Sequence, residues 1–250
     1  MGILSKIQSL LKEQAQSREL IRDTRVRSYF NFELGRTQVG LTLLDKLLKE
    51  GPYFPVASPT LNMFSLLQVV NDAVVNRRQC YVEFGAGIST LVMARLKRLN
   101  KLDMHILVVE SDKDWLELVQ GFLKNEGLDD LVEMVYAPLS DTPVFYKNKT
   151  KWYERRAIET ALEGKPAPDL VLVDGPFAYN EELKYARFPA WDCLKGRMAD
   201  SFTFFLDDIN RKGEMEILDQ WASDSGLEKT ILSSTFGLIH KNLRFYPFYQ

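Results

Sequence analysis

The run Cys80-Tyr81-Val82-Glu83-Phe84-Gly85-Ala86-Gly87-Ile88-Ser89-Thr90 carries the architecture of this chain. Residues 80–84 form a short apolar segment of the kind that makes a buried strand. Gly85 and Gly87 let the backbone turn tightly and approach a ligand closely. A helix is expected over 89–99, with Ser89 as its cap and free N–H groups at its start.

Outward from this turn the same alternation repeats. Helix 62–75 precedes it. Strand 105–110 (HILVVE) leads to helix 113–125, and 131–136 (LVEMVY) is a third strand. Strands follow at 169–174 (DLVLVD) and 201–208 (SFTFFLDD), then a helix over 212–222. Segments 229–234 and 236–241 close the chain as an antiparallel hairpin. Strands alternating with helices predict a doubly wound α/β fold, a mostly parallel sheet with helices on both faces. Near-continuous Val, Ile and Leu strands agree with burial on both sides. Residues 1–50 read as amphipathic helices that stop at Gly51-Pro52, so 1–58 is expected as a helical cap and 59–250 as the main domain. The long connection 138–168 interrupts the pattern, and a connection of that length is expected to have a function or local disorder.

Two ligand classes use such a glycine turn. A dinucleotide needs G-x-G-x-x-G, and here the third position is Thr90. Glu83, immediately before the turn, would repel a diphosphate and attract a cation. S-adenosylmethionine carries a sulfonium and an ammonium and no phosphate, so electrostatics favours it over NAD. Glu110 ends the second strand, before Ser111, where an acid accepts both ribose hydroxyls of either nucleoside.

With these residues in place, the chain resembles the class I S-adenosylmethionine-dependent methyltransferases over about 60–241. The matching features are E-F-G-A-G-I-S-T (83–90), Glu110, and LVLVDGP (170–176). The resemblance implies seven strands in the order 3-2-1-4-5-7-6, the seventh antiparallel. It implies a cofactor site of Glu83, Gly85, Ala86, Gly87, Ser89, Thr90, Glu110, Ser111, Ala137 and Asp174. Within it Glu83 and the glycines would line the methionine moiety, Glu110 the ribose, and the surroundings of Ala137 the adenine.

A hydroxyl acceptor must lose a proton during methyl transfer, so a base or a metal assists. Asp174 ends the fourth strand, and Asp207 and Asp208 the fifth. Three carboxylates suit Mg²⁺ or another hard divalent ion, and their spacing resembles the metal-dependent catechol-type O-methyltransferases. A metal-free reading makes Asp174 the general base, with Arg187 and Arg211 paired to Asp207 and Asp208. A structural reading makes the acids turn caps. The catalytic set is thus Asp174, Asp207 and Arg187, and the metal set Asp174, Asp207 and Asp208. A looser resemblance, through D-G-P, R-x-P-A and D-D-x-x-R-x-x-E, is to methyltransferases of sugars and polysaccharides such as the glucuronoxylan O-methyltransferases. It implies a glycan hydroxyl, against a small-molecule one. Trp152, Tyr153, Phe177, Tyr179 and Trp191 would stack on the acceptor or pack in the core. Arg155, Arg156, Arg187 and Arg211 would grip an anionic acceptor. The competing functions are an NAD-dependent oxidoreductase and a non-catalytic S-adenosylmethionine-binding module.

Composition narrows the partners. Thirty-two basic and 34 acidic residues give a net charge of −2, too little field to gather nucleic acid. D-G-P-F stands where many base methyltransferases carry N-P-P-Y/F. Cys80 and Cys193 form no metal or disulfide pattern. No segment has transmembrane length or the look of a signal peptide, so a cytoplasmic location is expected. The N-terminal helices offer a homodimer surface.

Overall fold

A computed structural model describes residues 3–49, 51–55 and 60–248. The elements in chain order are α1 (Ile3–Leu48), α2 (Met63–Val75), β1 (Cys80–Phe84), α3 (Ile88–Asn100), β2 (His105–Glu110) and α4 (Lys113–Asn125). Then come β3 (Glu133–Tyr136), β4 (Leu139–Asp141), β5 (Lys151–Tyr153), α5 (Arg155–Ala161), β6 (Leu170–Val173) and α6 (Pro189–Leu194). The last are β7 (Phe202–Leu206), α7 (Lys212–Ser225), β8 (Lys229–Ile231) and β9 (Gly237–Lys241).

Seven strands form one sheet in the order β3-β2-β1-β6-β7-β9-β8. The first five are parallel, and β9 runs antiparallel to both β7 and β8. Counted along the chain without the β4–β5 hairpin, this is the expected 3-2-1-4-5-7-6. Strands β1, β6 and β7 are buried along their whole length. Their side chains alternate between two apolar layers, as the two-residue period of a strand requires. Tyr81, Val108, Leu172 and Phe205 face the layer of α2, α3 and α4. Val82, Phe84, Val109, Val173 and Phe204 face the layer of α5, α6 and α7.

Short polar residues start the helices that matter for the site. The Asn62 side chain accepts from the Phe64 N–H at 2.8 Å to cap α2, and Asp112 accepts from the Trp115 N–H at 3.0 Å to cap α4. At α3 the cap is Gly87 rather than Ser89, because Ser89 turns its hydroxyl back into the sheet.

Where several helices are expected, Ile3–Leu48 forms a single 46-residue helix, about 69 Å long at 1.5 Å per residue. Its last turns join the core: Leu44 and Leu47 lie in the same apolar cluster as α2 and α3. Further back it exposes Leu20, Val26, Tyr29 and Phe32. The expected boundary at 58/59 falls in 56–59, outside the described residues. Buried Arg95 of α3 anchors the end of α1. Its Nη1 donates to the Leu47 carbonyl at 2.9 Å, and its other nitrogens grip Glu126 at 2.6 and 2.8 Å. The connection 138–168 is ordered around the β4–β5 hairpin and α5. Its period-two signal is only three residues per strand, too short to stand out in sequence.

Candidate functional site

A cavity of about 540 Å³ opens at the C-terminal ends of β1, β2 and β6, within the range of roughly 300–1,000 Å³ typical of ligand sites. This is where open α/β sheets bind ligands, at the point where strand order reverses. Its walls include Gly85, Ala86, Gly87, Ser89, Glu110, Ser111, Asp174 and Arg187 from the expected set.

The glycine turn forms the floor. Gly85 has φ +97°, and a Cβ built there would lie 2.9 Å from the main-chain nitrogen of Gly175. The ends of β1 and β6 therefore meet as backbone against backbone, which only glycine allows. Ala86 is pinned from both sides: its N–H donates to Glu110 Oε2 at 3.0 Å and its carbonyl accepts from Trp115 Nε1 at 2.8 Å. Glu110 Oε1 accepts from the Ser111 and Asp112 N–H groups at 2.6 and 2.8 Å. Those bonds fix the carboxylate at the cavity edge and leave acceptor capacity on Oε2 for a ligand hydroxyl.

Four expected residues do not reach the cavity wall. Glu83 lies on the α3 face of β1, fully buried, and accepts from the hydroxyls of Ser89 and of Thr90, the latter at 3.0 Å. It braces the turn from beneath and touches no ligand space. Thr90 is buried with it and also accepts from the Gly87 N–H at 3.1 Å. Ala137 is buried, its N–H donated to the Glu110 carbonyl at 2.8 Å. Asp207 is buried, 6% exposed, with Oδ1 lacking any hydrogen-bond partner.

Burial pushes the Glu83 carboxyl up to about 8, against the pull of its two hydroxyl donors. The folded state therefore holds a proton that the unfolded chain has lost between about pH 4.5 and pH 8, so this group makes stability fall as pH rises through that window. Glu83→Gln is expected to flatten that fall. Melting curves across the window check it, and an unchanged slope would contradict the buried acid.

The sharpest electrostatics lie at the ends of β6 and β7. Carboxylate oxygens of Asp174, Asp207 and Asp208 lie within 4.8 Å of one another, the metal-like grouping found among the described residues. Burial raises the Asp174 carboxyl to about 7, with Arg187 opposing and Asp208 adding to the rise. Burial also pushes Asp207 well up, reinforced by Asp174 and Asp208. Asp208 has φ +63°, which turns its side chain out toward the cavity.

Buried Arg187 contacts all three acidic residues. Its Nη2 donates to the Asp174 carbonyl at 2.6 Å and lies 3.6 Å from Asp174 Oδ1. Its Nη1 donates to the Asp207 carbonyl at 3.2 Å and lies 3.0 Å from Asp208 Oδ2. Its Nε donates to the Pro176 carbonyl at 3.3 Å. Arg211 adds a second cation on Asp208 Oδ2, at 2.5 Å. Arg187 thus spends a donor from each of its three nitrogens on main-chain carbonyls and lies beside two carboxylates, which offsets the charge it could offer an anionic acceptor. Arg155 is committed to Glu159 and Asp192, away from the cavity.

The aromatic residues divide. Trp152 and Trp191 are core, the former 5.0 Å from Phe84 between ring centroids. Tyr153 lines the cavity from beneath, its hydroxyl buried without a hydrogen-bond partner. Phe177 and Tyr179 are exposed at the mouth, their rings 4.1 Å apart, with Tyr179 over the Arg211 guanidinium at 3.9 Å. Lining residues outside the expected set include Phe54, Asp112 and Trp115. Trp115 was findable as an aromatic in the first turn after the ribose-type acid. Phe54 was not, since its approach depends on where the end of α1 docks.

This sheet order, with its glycine turn and acidic strand ends, is the fold of the class I S-adenosylmethionine-dependent methyltransferases. A Podospora anserina methyltransferase bound to S-adenosylhomocysteine superimposes with a TM-score of 0.56 at 14% identity, over 84% of this chain and 87% of that one. A Bacillus cereus O-methyltransferase in complex with S-adenosylhomocysteine gives 0.52 at 13%, over 83% and 91%. A Streptomyces achromogenes O-methyltransferase involved in tomaymycin synthesis, bound to S-adenosylmethionine, gives 0.50 at 16%, over 81% and 89%. No protein-family model matches the chain, and no curated protein sequence does. Among the described residues no helix is long and apolar enough to cross a membrane.

Proposed function

We propose that this protein transfers a methyl group from S-adenosylmethionine to a hydroxyl of a small molecule or carbohydrate. The observation that carries the reading is the charge of the cavity wall. Glu110, Asp112, Asp174 and Asp208 line it, against the single cation Arg187 among the lining residues. Such a wall suits a sulfonium and an ammonium and repels a diphosphate. This replaces the expected role of Glu83, whose carboxyl lies beneath the floor. The ribose hydroxyls meet Glu110, the methionine end follows the Gly85–Gly87 turn, and Trp115 borders the nucleoside.

Asp174 serves as the general base. It takes the proton of the acceptor hydroxyl while the acceptor oxygen bonds to the methyl carbon. The sulfur keeps the electron pair of the broken bond, and the proton passes from Asp174 to water. Phe177 and Tyr179 give the acceptor ring a platform at the mouth, which suits a sugar face or an aromatic. Two buried unpaired cysteines, Cys80 and Cys193, fit a reducing cytoplasmic setting.

Calorimetry with S-adenosylhomocysteine is expected to show binding that Glu110→Ala weakens by about tenfold, the loss of a charge-assisted hydroxyl contact. Tight NADH binding with no S-adenosylhomocysteine heat would instead establish the oxidoreductase.

A further inference from the structure

Carboxylates placed like Asp174, Asp207 and Asp208 would hold a divalent ion in the metal-dependent O-methyltransferases that the sequence resembles. Here they do not fit one. A hard dication needs several oxygens at about 2.0–2.6 Å. Two of the three carboxylates already face the Arg187 guanidinium, at 3.6 Å from Asp174 Oδ1 and 3.0 Å from Asp208 Oδ2. The third, on Asp207, is buried behind them and does not line the cavity.

Arg187 is 2% exposed and is held by the carbonyls of Asp174, Pro176 and Asp207. Those carbonyls belong to the ends of two adjacent strands, so the guanidinium is part of the frame. An ion entering would add two charges beside two guanidiniums. It would also strand a buried arginine, a cost that paired burial normally avoids. Asp208 is turned outward by a left-handed backbone, and Arg211 holds the same oxygen that Arg187 holds.

We infer that Arg187 stands where a divalent ion would otherwise sit: a resident cation that closes the carboxylate cluster to metal and holds the Asp174 carboxylate at the cavity. This assigns Arg187 a positioning role in the reaction proposed above, and its use there rests on that reading. Held by three carbonyls and flanked by two carboxylates, Arg187 orients the base rather than binding the acceptor. The acceptor it permits presents a neutral hydroxyl to Asp174, not a carboxylate or phosphate to an arginine.

Titration of Mn²⁺ alone into the full, chelator-stripped chain tests this without any acceptor. The wild type is expected to give no saturable binding up to millimolar Mn²⁺. Arg187→Ala is expected to bind Mn²⁺ at least about tenfold more tightly than wild type, and adding Asp174→Asn is expected to abolish the gain. Arg187→Lys, which keeps the charge, is expected to bind none. Saturable micromolar Mn²⁺ binding by the wild type, lost in Asp174→Asn, would overturn the inference. So would a folded Arg187→Ala protein that takes up no Mn²⁺. If that variant does not fold, the wild-type titration still decides. Calorimetry with S-adenosylhomocysteine on the same wild-type preparation separates the two readings. Failure to bind it removes the methyltransferase reading and leaves the Mn²⁺ result standing by itself.

Discussion

Asp174→Asn is expected to lower acceptor methylation by about 10²–10⁴-fold, the range that a positioned general base contributes. Asparagine keeps the size and one acceptor oxygen but cannot take a proton. Because the defect is in proton removal, S-adenosylhomocysteine affinity should change little. Wild-type kcat/KM should rise with pH through about 7, where burial has placed the Asp174 carboxyl, since the ionised form is the active one. The assay is labelled-methyl transfer to hydroxylated small molecules and oligosaccharides, repeated across pH with the best acceptor. Undiminished transfer by the variant would show that the proton leaves by another route. It would also strip Asp174 of its role even if the cofactor binds as proposed.

The second large effect is on stability. Arg95→Met is expected to cost about 3–5 kcal/mol, the usual consequence of removing one partner of a buried ion pair. Arg95 and Glu126 have side chains only 1% and 3% exposed. Removing the arginine leaves the Glu126 carboxylate buried and unpaired, and frees the Leu47 and Leu48 carbonyls at the end of α1. Methionine matches much of the lost volume, so the loss reports charge rather than a cavity. Urea denaturation measures it. Adding Glu126→Leu should recover part of the loss, because no lone charge then remains. A loss under about 1 kcal/mol would place the pair in the class of surface bridges and contradict its burial.

The parts legible in sequence were those governed by local periodicity and local turns. Apolar runs gave every strand of the main sheet, and helical spacing gave the helices that the structure places at Met63–Val75 and Lys113–Asn125. Gly85 could be read because a left-handed φ has few solutions. The rest depends on direction. Glu83 and Phe84 are neighbours, yet the strand sends one toward α3 and the other toward α6, and the sheet's facing is not written at residue 83. Ser89 looked like a cap because serine often is one, but a buried carboxylate beneath it was the stronger partner. Which arginine meets which acid was also hidden. Arg187 reaches Asp174 and Asp208 only because β6 and β7 are neighbours.

The Gly85–Gly175 contact has an evolutionary corollary. If the cofactor sits as proposed, its seat, made where two bare backbones touch, contributes peptide groups and curvature, and every amino-acid sequence supplies the same peptide groups. Lineages can therefore rewrite almost all the surrounding side chains while the seat persists, provided two positions stay without a side chain. Shape is inherited there with very little text, so kinship in this architecture should be sought in superposed strand ends before aligned letters.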